Sequence, residues 1–153
     1  MTSKQILKHF EDEADYERQV DILARTLYGE ARGEPPEGAE AVASVIMNRV
    51  LRGRRRRNGY WWGETVEEVC QKPWQFSCWN EDDPNRDKIE KVGPGNPIFD
   101  RCLWVARRAV DRKLKDRTFG ATHYHAMGID PHWAFGREAC ALIGHHLFYN
   151  DVE

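Results

Sequence analysis

The stretch YGEARGEPPEG, residues 28–38, sets three glutamates among glycines and prolines at the end of a strongly helical segment. Upstream, Val20, Leu23, Ala24, Leu27, Tyr28 and Ala31 recur at the i, i+3, i+4, i+7 spacing of an amphipathic helix. Glu30 follows Leu23 by two helical turns and returns to within about 20° of its direction. Its carboxyl therefore shares the apolar stripe. A carboxyl pushed towards an apolar surface is harder to ionise, and the partial negative charge of a helix C-terminus acts in the same sense. An acid that keeps its proton near neutrality can donate it in a reaction, which is the setting of a glycosidase general acid. A structural alternative stays open on the pattern alone: Glu30 in a buried salt bridge to Arg32 or Arg49, tying two helices together. Glu34 and Glu37 lie past the breaker, where solvation or capping of the next helix is expected.

The elements that position Glu30 follow from periodicity and punctuation. The first helix starts near Tyr16 and stops near Gly33, because Pro35 disfavours a helical residue before it; residues 1–15 are polar, a loose arm or short helix. A second helix spans 37–51, with small residues on several sides that predict deep packing. RGRRRRNG, 52–59, reads as a basic loop. Thr65 and Glu68 stand in capping-box register and predict a short helix. Residues 71–87 are aromatic and then turn-rich, an ordered loop of the kind that carries function. Residues 96–114 form a strong helix, with Asn96 as cap and Pro97 at the first position. ATHYHAM, 121–127, is β-like, 129–138 is loop, and 140–150 is a final strand or short helix able to pair with 121–127. No repeat, low-complexity tract or domain boundary is present.

Bulk properties exclude several classes. The chain's 153 residues suffice for one domain with its own core. Its net charge of −2 gives no global pull towards polyanions. RGRRRR is one basic run without a nucleic-acid-binding fold motif, so nucleic acid is not an expected partner, and attraction to an anionic wall or membrane surface fits better. No stretch approaches the ~20 apolar residues of a membrane span, so no stable membrane insertion is expected. The N-terminus shows no apolar signal region, which implies synthesis in the cytoplasm. Cys70, Cys78, Cys102 and Cys140 make no CxxC, and reduced thiols are the expectation. His123 and His125 share a strand face, with His132, His145 and His146 as further candidates, but no recognisable zinc motif joins them. No metal and no cofactor is expected.

Four ordered blocks carry a more specific signal: LARTLYGEARGEPPEGAEAVASVIMNRV, VCQKPWQFSCWN, ATHYHAMGIDPHWA and IGHHLFYN. Together they span roughly residues 20–150, and the chain resembles the cell-wall hydrolase family typified by the spore cortex-lytic enzyme SleB. The resemblance implies an α+β, predominantly helical, lysozyme-like single domain with a small antiparallel sheet, residues 16–153 being the catalytic domain and 1–15 an arm. It implies cleavage of peptidoglycan glycan strands between N-acetylmuramic acid and N-acetylglucosamine, by lytic transglycosylation that leaves a 1,6-anhydro-muramic end. The first glutamate of YGEARGE, the family's catalytic acid, maps to Glu30, the residue the helical wheel also selects. RGRRRRNGYWWGE is more basic and aromatic than the family pattern. A bare catalytic domain without a signal is similar to a phage or prophage endolysin acting on the wall after holin-type release, and a monomer is expected.

Roles follow as expectations. Glu30 serves as acid and then as base, since the attacking C6 hydroxyl belongs to the substrate. Trp74, Gln75, Phe76 and Ser77 line the cleft, the aromatics as flat surfaces and the polar groups as hydrogen-bond partners, with core packing equally open for Phe76. Tyr124 and His125 can bond the sugar or the acid, but alternation on a strand turns only one of them inward. Glu34 is also expected among the substrate-binding residues of the cleft, and a hydrolytic muramidase, which needs a second carboxylate, has Glu34 as the near candidate and Asp130 as a remote one. A zinc-dependent amidase or peptidase using the histidines, and a glycan-binding module without catalysis, compete with both from different functional classes.

Overall fold

A computed structural model describes all residues, 1–153. Its elements in order are α1 (Ser3–Ala31), α2 (Pro36–Arg55), α3 (Val66–Gln71), a 3-10 turn (Ser77–Trp79), α4 (Pro84–Lys91), α5 (Pro97–Val110), β1 (His123–Ala126), a second 3-10 turn (His132–Ala134), β2 (Ala141–Ile143) and β3 (His146–Tyr149). The three strands form one antiparallel sheet in the order β1-β3-β2. The fold is thus mostly helical with a small sheet, as the resemblance implied.

The expected loose arm is instead the first half of α1. Nothing between Ser3 and Tyr28 breaks a helix, and Thr2 starts it with a capping box: Gln5 N donates to Thr2 Oγ1 (3.1 Å) and Thr2 N to Gln5 Oε1 (2.7 Å). The Lys8–Asp12 pair (2.9 Å) supports the exposed turns. The Arg107 guanidinium grips the Glu17 carboxylate with two bonds (3.0 and 3.1 Å), and the Tyr16 hydroxyl donates to Asp111 (2.8 Å), docking the helix on α5. Once the packed half of α1 exists, extension costs little, because nucleation is the expensive step.

Two other differences have local causes. α2 runs to Arg55, so Arg52–Arg55 form its last turn rather than a loop; arginine is a good helix former and suits the negative end of the helix. Residues 84–91, inside the expected loop, form α4, with Asp83 as N-cap (accepting from Asn85 N, 2.8 Å) and Pro84 at the first position. At α3 the Thr65 cap is made (Glu68 N to Thr65 Oγ1, 3.1 Å), but the Glu68 carboxylate turns to Glu64 N, so the box is half-formed. Residues 140–150 hold two strands, not one element.

The main core packs Leu23, Ala24 and Leu27 of α1 against Val42, Ile46 and Val50 of α2, with Trp62, Val69, Ile89 and Phe99 closing it. A small second cluster, Ala41, Val45, Ala121 and Phe148, fastens the sheet to α2. All four cysteines are free, and Cys70 and Cys78 lie in the main core.

The tight approach that bears on the chemistry is between α1 and the Ser77–Trp79 turn. A Cβ added to Gly29 would lie 2.6 Å from Cys78 Cβ and 2.8 Å from its Sγ. Only glycine lets that turn lie against the last helical turn. Gly29→Ala is expected to destabilise the protein by roughly 1–3 kcal/mol through overpacking. Gly33→Ala, where a Cβ meets nothing within 4 Å, is expected to change stability by less than about 0.5 kcal/mol. Equilibrium urea unfolding of the two variants compares them directly, and equal costs would refute the packing argument.

Candidate active site

Glu30 sits in the last turn of α1, half-buried, directly after the glycine that admits the Ser77–Trp79 turn. Burial pushes its carboxyl up from its ordinary 4.5 to about 7. The backbone N–H and thiol of Cys78 and the backbone N–H of Ser77 pull the other way, and the negative charge of Asp83 adds to the rise. The salt-bridge alternative is not what forms. Arg32 donates to Tyr28 O (3.2 Å) and Asn85 Oδ1 (2.6 Å), whereas Arg49 donates to Thr122 O (2.8 Å) and Gln75 Oε1 (3.3 Å). Glu30 is left as a desolvated acid without a cationic partner.

Arg49 is visible in the sequence only as a possible partner of Glu30, and its actual place differs. It is 6% exposed and has no carboxylate within ion-pair distance. Its guanidinium lies over Trp62 (4.8 Å) and Phe76 (5.5 Å), and burial brings its pKa down to about 10. Its two hydrogen bonds join the loop at residue 75 to the start of β1, so one cation spans both walls beside Glu30. This arrangement corrects the expectation for Phe76. That ring is buried under Arg49 in the main core, so it supports the wall from behind and offers no surface to a sugar. Gln75 is half-buried with its carbonyl engaged by Arg49, and Ser77 is exposed at the rim.

Strand alternation separates Tyr124 from His125. Tyr124 faces the helices, its ring 5.6 Å from Phe148 and 4.9 Å from His146. Burial holds its phenol well above the usual range, and the charge of Glu30 adds to this, which places the two groups within each other's field. His125 points to the opposite face, where Nε2 pairs with the Tyr149 hydroxyl (2.8 Å) and Nδ1 with Ala126 O (2.9 Å). There it lines a separate cavity of about 560 Å³ with Asp130, His132 and Arg137. The expectation that His125 shares the face of Tyr124 is corrected accordingly, and Asp130 lies with His125 in this cavity.

Glu34, expected in solvent or at the cleft, is clasped by the β2–β3 hairpin. Its side chain is 7% exposed; the His145 ring reaches Oε2 at 2.7 Å, His145 N donates to Oε1 at 3.2 Å, and His146 Nδ1 lies 3.4 Å away. Burial opposes its charge, but the His145 ring and backbone N–H and the charges of both histidines hold it below its ordinary value. Gly38 and Gly144 line its seat: a Cβ on Gly38 would come within 2.6 Å of Glu34 Cβ, and Gly144 has φ +59°. Two carboxyls four residues apart are thus driven in opposite directions, Glu30 towards the neutral form by burial and Glu34 towards the ionised one by the hairpin histidines.

The histidines assemble no group of three metal-binding side chains. His123 pairs with Thr122 Oγ1 (2.9 Å), and its pKa falls to about 4 through burial and then the charge of Arg49. Sequence reasoning missed Asp83, Cys78 and Trp79. Trp79 Nε1 donates to Thr26 Oγ1 of α1 (2.9 Å), pinning the turn beside Glu30. The legible signal was the small residue Gly29 directly before the acid, which marks a close approach.

Comparison with known proteins gives the family. The family model described as Cell Wall Hydrolase matches residues 33–149. That match begins three residues after Glu30. A spore cortex-lytic enzyme of Bacillus subtilis is 58% identical over 133 residues, 84% of this chain and 36% of that protein. One from Oceanobacillus iheyensis is 39% identical over 140 residues, 86% of this chain and 41% of that protein. The chain therefore spans well under half the length of these relatives. Among solved structures, the catalytic domain of the germination-specific lytic transglycosylase SleB from Bacillus anthracis matches with a TM-score of 0.63 and 27% identity, over 85% of this chain and 92% of that one. A mostly helical fold with a three-stranded sheet, an acid at the end of α1 and a family match across most of the length lead to one assignment: the chain belongs to the cell wall hydrolase family.

Proposed function

We propose that the chain cleaves peptidoglycan glycan strands between N-acetylmuramic acid and N-acetylglucosamine as a lytic transglycosylase, with Glu30 as its only acid and base. The observation that carries this reading is a desolvated carboxyl, poised at about 7 and free of any cation, at the end of a helix. Residues 16–153 are the catalytic unit in this reading, with the solvent-facing turns of residues 1–15 outside it, and the protein acts at the cell wall as a monomer.

Protonated Glu30 gives its proton to the glycosidic oxygen as the bond to the muramic C1 breaks. The resulting carboxylate then accepts the proton of the same sugar's C6 hydroxyl, whose oxygen closes on C1. The products are a free hydroxyl on one fragment and a 1,6-anhydro-muramic end on the other, and Glu30 is protonated again. In this reading Tyr124, in the field of Glu30, bonds the developing charge, and Gln75 and Ser77 supply hydrogen bonds at the rim, with Trp74 beyond them. No cofactor enters the scheme. A hydrolytic mechanism needs a second carboxylate to act on water. Asp83, whose charge Glu30 feels, caps the next helix through Asn85 N, and Glu34 is held away by His145. This engagement favours the internal nucleophile.

Glu30→Gln is expected to lower turnover of purified peptidoglycan by about 100-fold or more, the usual worth of a general acid and base. Mass spectrometry of wild-type digests should find 1,6-anhydro-muramic ends, and reducing muramic ends would overturn the transglycosylase reading. Because the acid must be protonated to begin, kcat/KM should fall as pH rises through about 7.

The same shift has a stability consequence of definite sign. The folded pKa lies above the unfolded one, so the native state binds more protons between pH 4.5 and about 7, and its stability falls as pH rises through that window. Above it, ionised Glu30 costs up to ~3 kcal/mol. Glu30→Gln should therefore raise the melting temperature by several degrees at pH 8 and leave it nearly unchanged at pH 4. A variant no more stable than wild type at pH 8 would show that the carboxyl is not desolvated.

A further inference from the structure

Trp74 is held at φ +69°, a backbone conformation that residues other than glycine rarely adopt, and the residue is 79% exposed. Nothing in the core requires a tryptophan there. Strain at an exposed aromatic residue is a feature that packing does not explain and binding can. The ring lines a cavity of about 510 Å³ together with Trp79 and Asn80, the residues directly after Cys78 where the chain leaves Glu30. A second cavity of about 450 Å³ shares Gln71, Lys72 and Pro73 with the first and ends on Tyr60 and Trp61. Trp61 is 49% exposed and belongs to the aromatic segment that departs from the family pattern.

We infer that these two cavities form one continuous track that carries the glycan strand away from the acid, with Trp74 and Trp61 as successive sugar platforms. This inference rests on the peptidoglycan reading and extends it to a distal binding site. The chemistry suits the occupant. Exposed indole faces offer flat apolar surface to the C–H faces of pyranose rings, and the Gln71 and Asn80 amides at the edges offer donors and acceptors to hydroxyl and N-acetyl groups. Lys72, exposed and in no ion pair, lies at the junction, but Glu81 and Asp82 line the first cavity beside Arg86, and Glu67 and Glu68 line the second, so the track selects for neutral sugar faces rather than for charge. Trp79 connects the track to the acid's side of the molecule, because it lines the first cavity and donates to Thr26 on the helix that ends at Glu30. Binding energy gathered at such remote contacts favours long strands over short fragments.

The test uses Trp61→Ala and Trp74→Gly, the latter chosen because glycine suits φ +69° and spares the fold. Wild type and variants are compared on long peptide-free glycan strands and on fragments of two or three disaccharides. Each variant should lose at least about fivefold of the wild-type preference in kcat/KM for long strands over short ones. The same substitutions in an inert Glu30→Gln background should weaken co-sedimentation with insoluble peptidoglycan several-fold. An unchanged long-to-short ratio together with unchanged sedimentation would overturn the track while leaving the cleavage reading intact. Tryptophan-dependent sedimentation by a wild type that does not cut glycan would support the track and sink the cleavage reading.

Discussion

A glutamate carboxyl held out of water against a turn that cannot retreat is the constraint on which the rest of this structure depends. Gly29 removes the one Cβ that would keep the Ser77–Trp79 turn away from α1, and Trp79 then fixes the turn through Thr26. Close approach desolvates Glu30, and desolvation raises its pKa to about 7. The nearby amides of Ser77 and Cys78 prevent a larger rise, so the group stays in the range where it can both give and take a proton. A tighter pocket would leave a permanently neutral acid, and a looser one an ordinary carboxylate. The raised pKa follows from packing at one glycine.

Arg49 supplies a second constraint of a different kind. A buried guanidinium is costly unless its donors are used. Here they bind a backbone carbonyl at the start of the sheet and a side-chain carbonyl in the loop before the turn, while Trp62 and Phe76 cover its faces. The planar fork of arginine suits bridging of this sort, which the compact ammonium of lysine could not reproduce. Because neither partner is charged, Arg49 does not draw the proton from Glu30 as a direct salt bridge would. The same residue could have produced an inert, ionised glutamate, and its diversion to neutral carbonyls keeps the acid available.

Much of this is readable from residue order, and what is not has physical reasons. The helical wheel places Glu30 on the buried face because α1 is regular there, and local periodicity is enough for that inference. Asn96 and Pro97 mark α5 equally well, since caps are local chemistry. Phe76 is ambiguous because an aromatic residue suits a core and a sugar site alike, and only the position of Arg49, more than twenty residues earlier, decides between them. His125 is lost through register: alternation requires that Tyr124 and His125 diverge, but which one turns inward depends on how β1 pairs with β3. The N-terminal turns mislead because polarity looks like looseness, whereas an uninterrupted run of helix formers attached to a packed helix simply continues it. α4 is hidden by its high charge, although Asp83 and Pro84 are an adequate start signal.

The break after α1 gains a fuller meaning from Glu34. Once Pro35 and Pro36 end one helix and begin the next, four residues are enough to carry a second carboxyl out of the Glu30 environment and into the grip of His145 and the hairpin backbone. Had the helix continued, Glu30 and Glu34 would sit one turn apart on the same face, and their mutual repulsion would raise both pKa values together. The proline pair separates them, so one carboxyl is stabilised as an anion by histidine and amide donors while the other is kept neutral by burial. Gly38 and Gly144 fit this account, since each leaves room for the Glu34 side chain at a contact where a Cβ would intrude. The glutamate-rich, glycine- and proline-rich stretch is therefore one device: it ends a helix to present an acid, and it anchors the next carboxylate where it ties the sheet to the helices and stays out of the acid's titration.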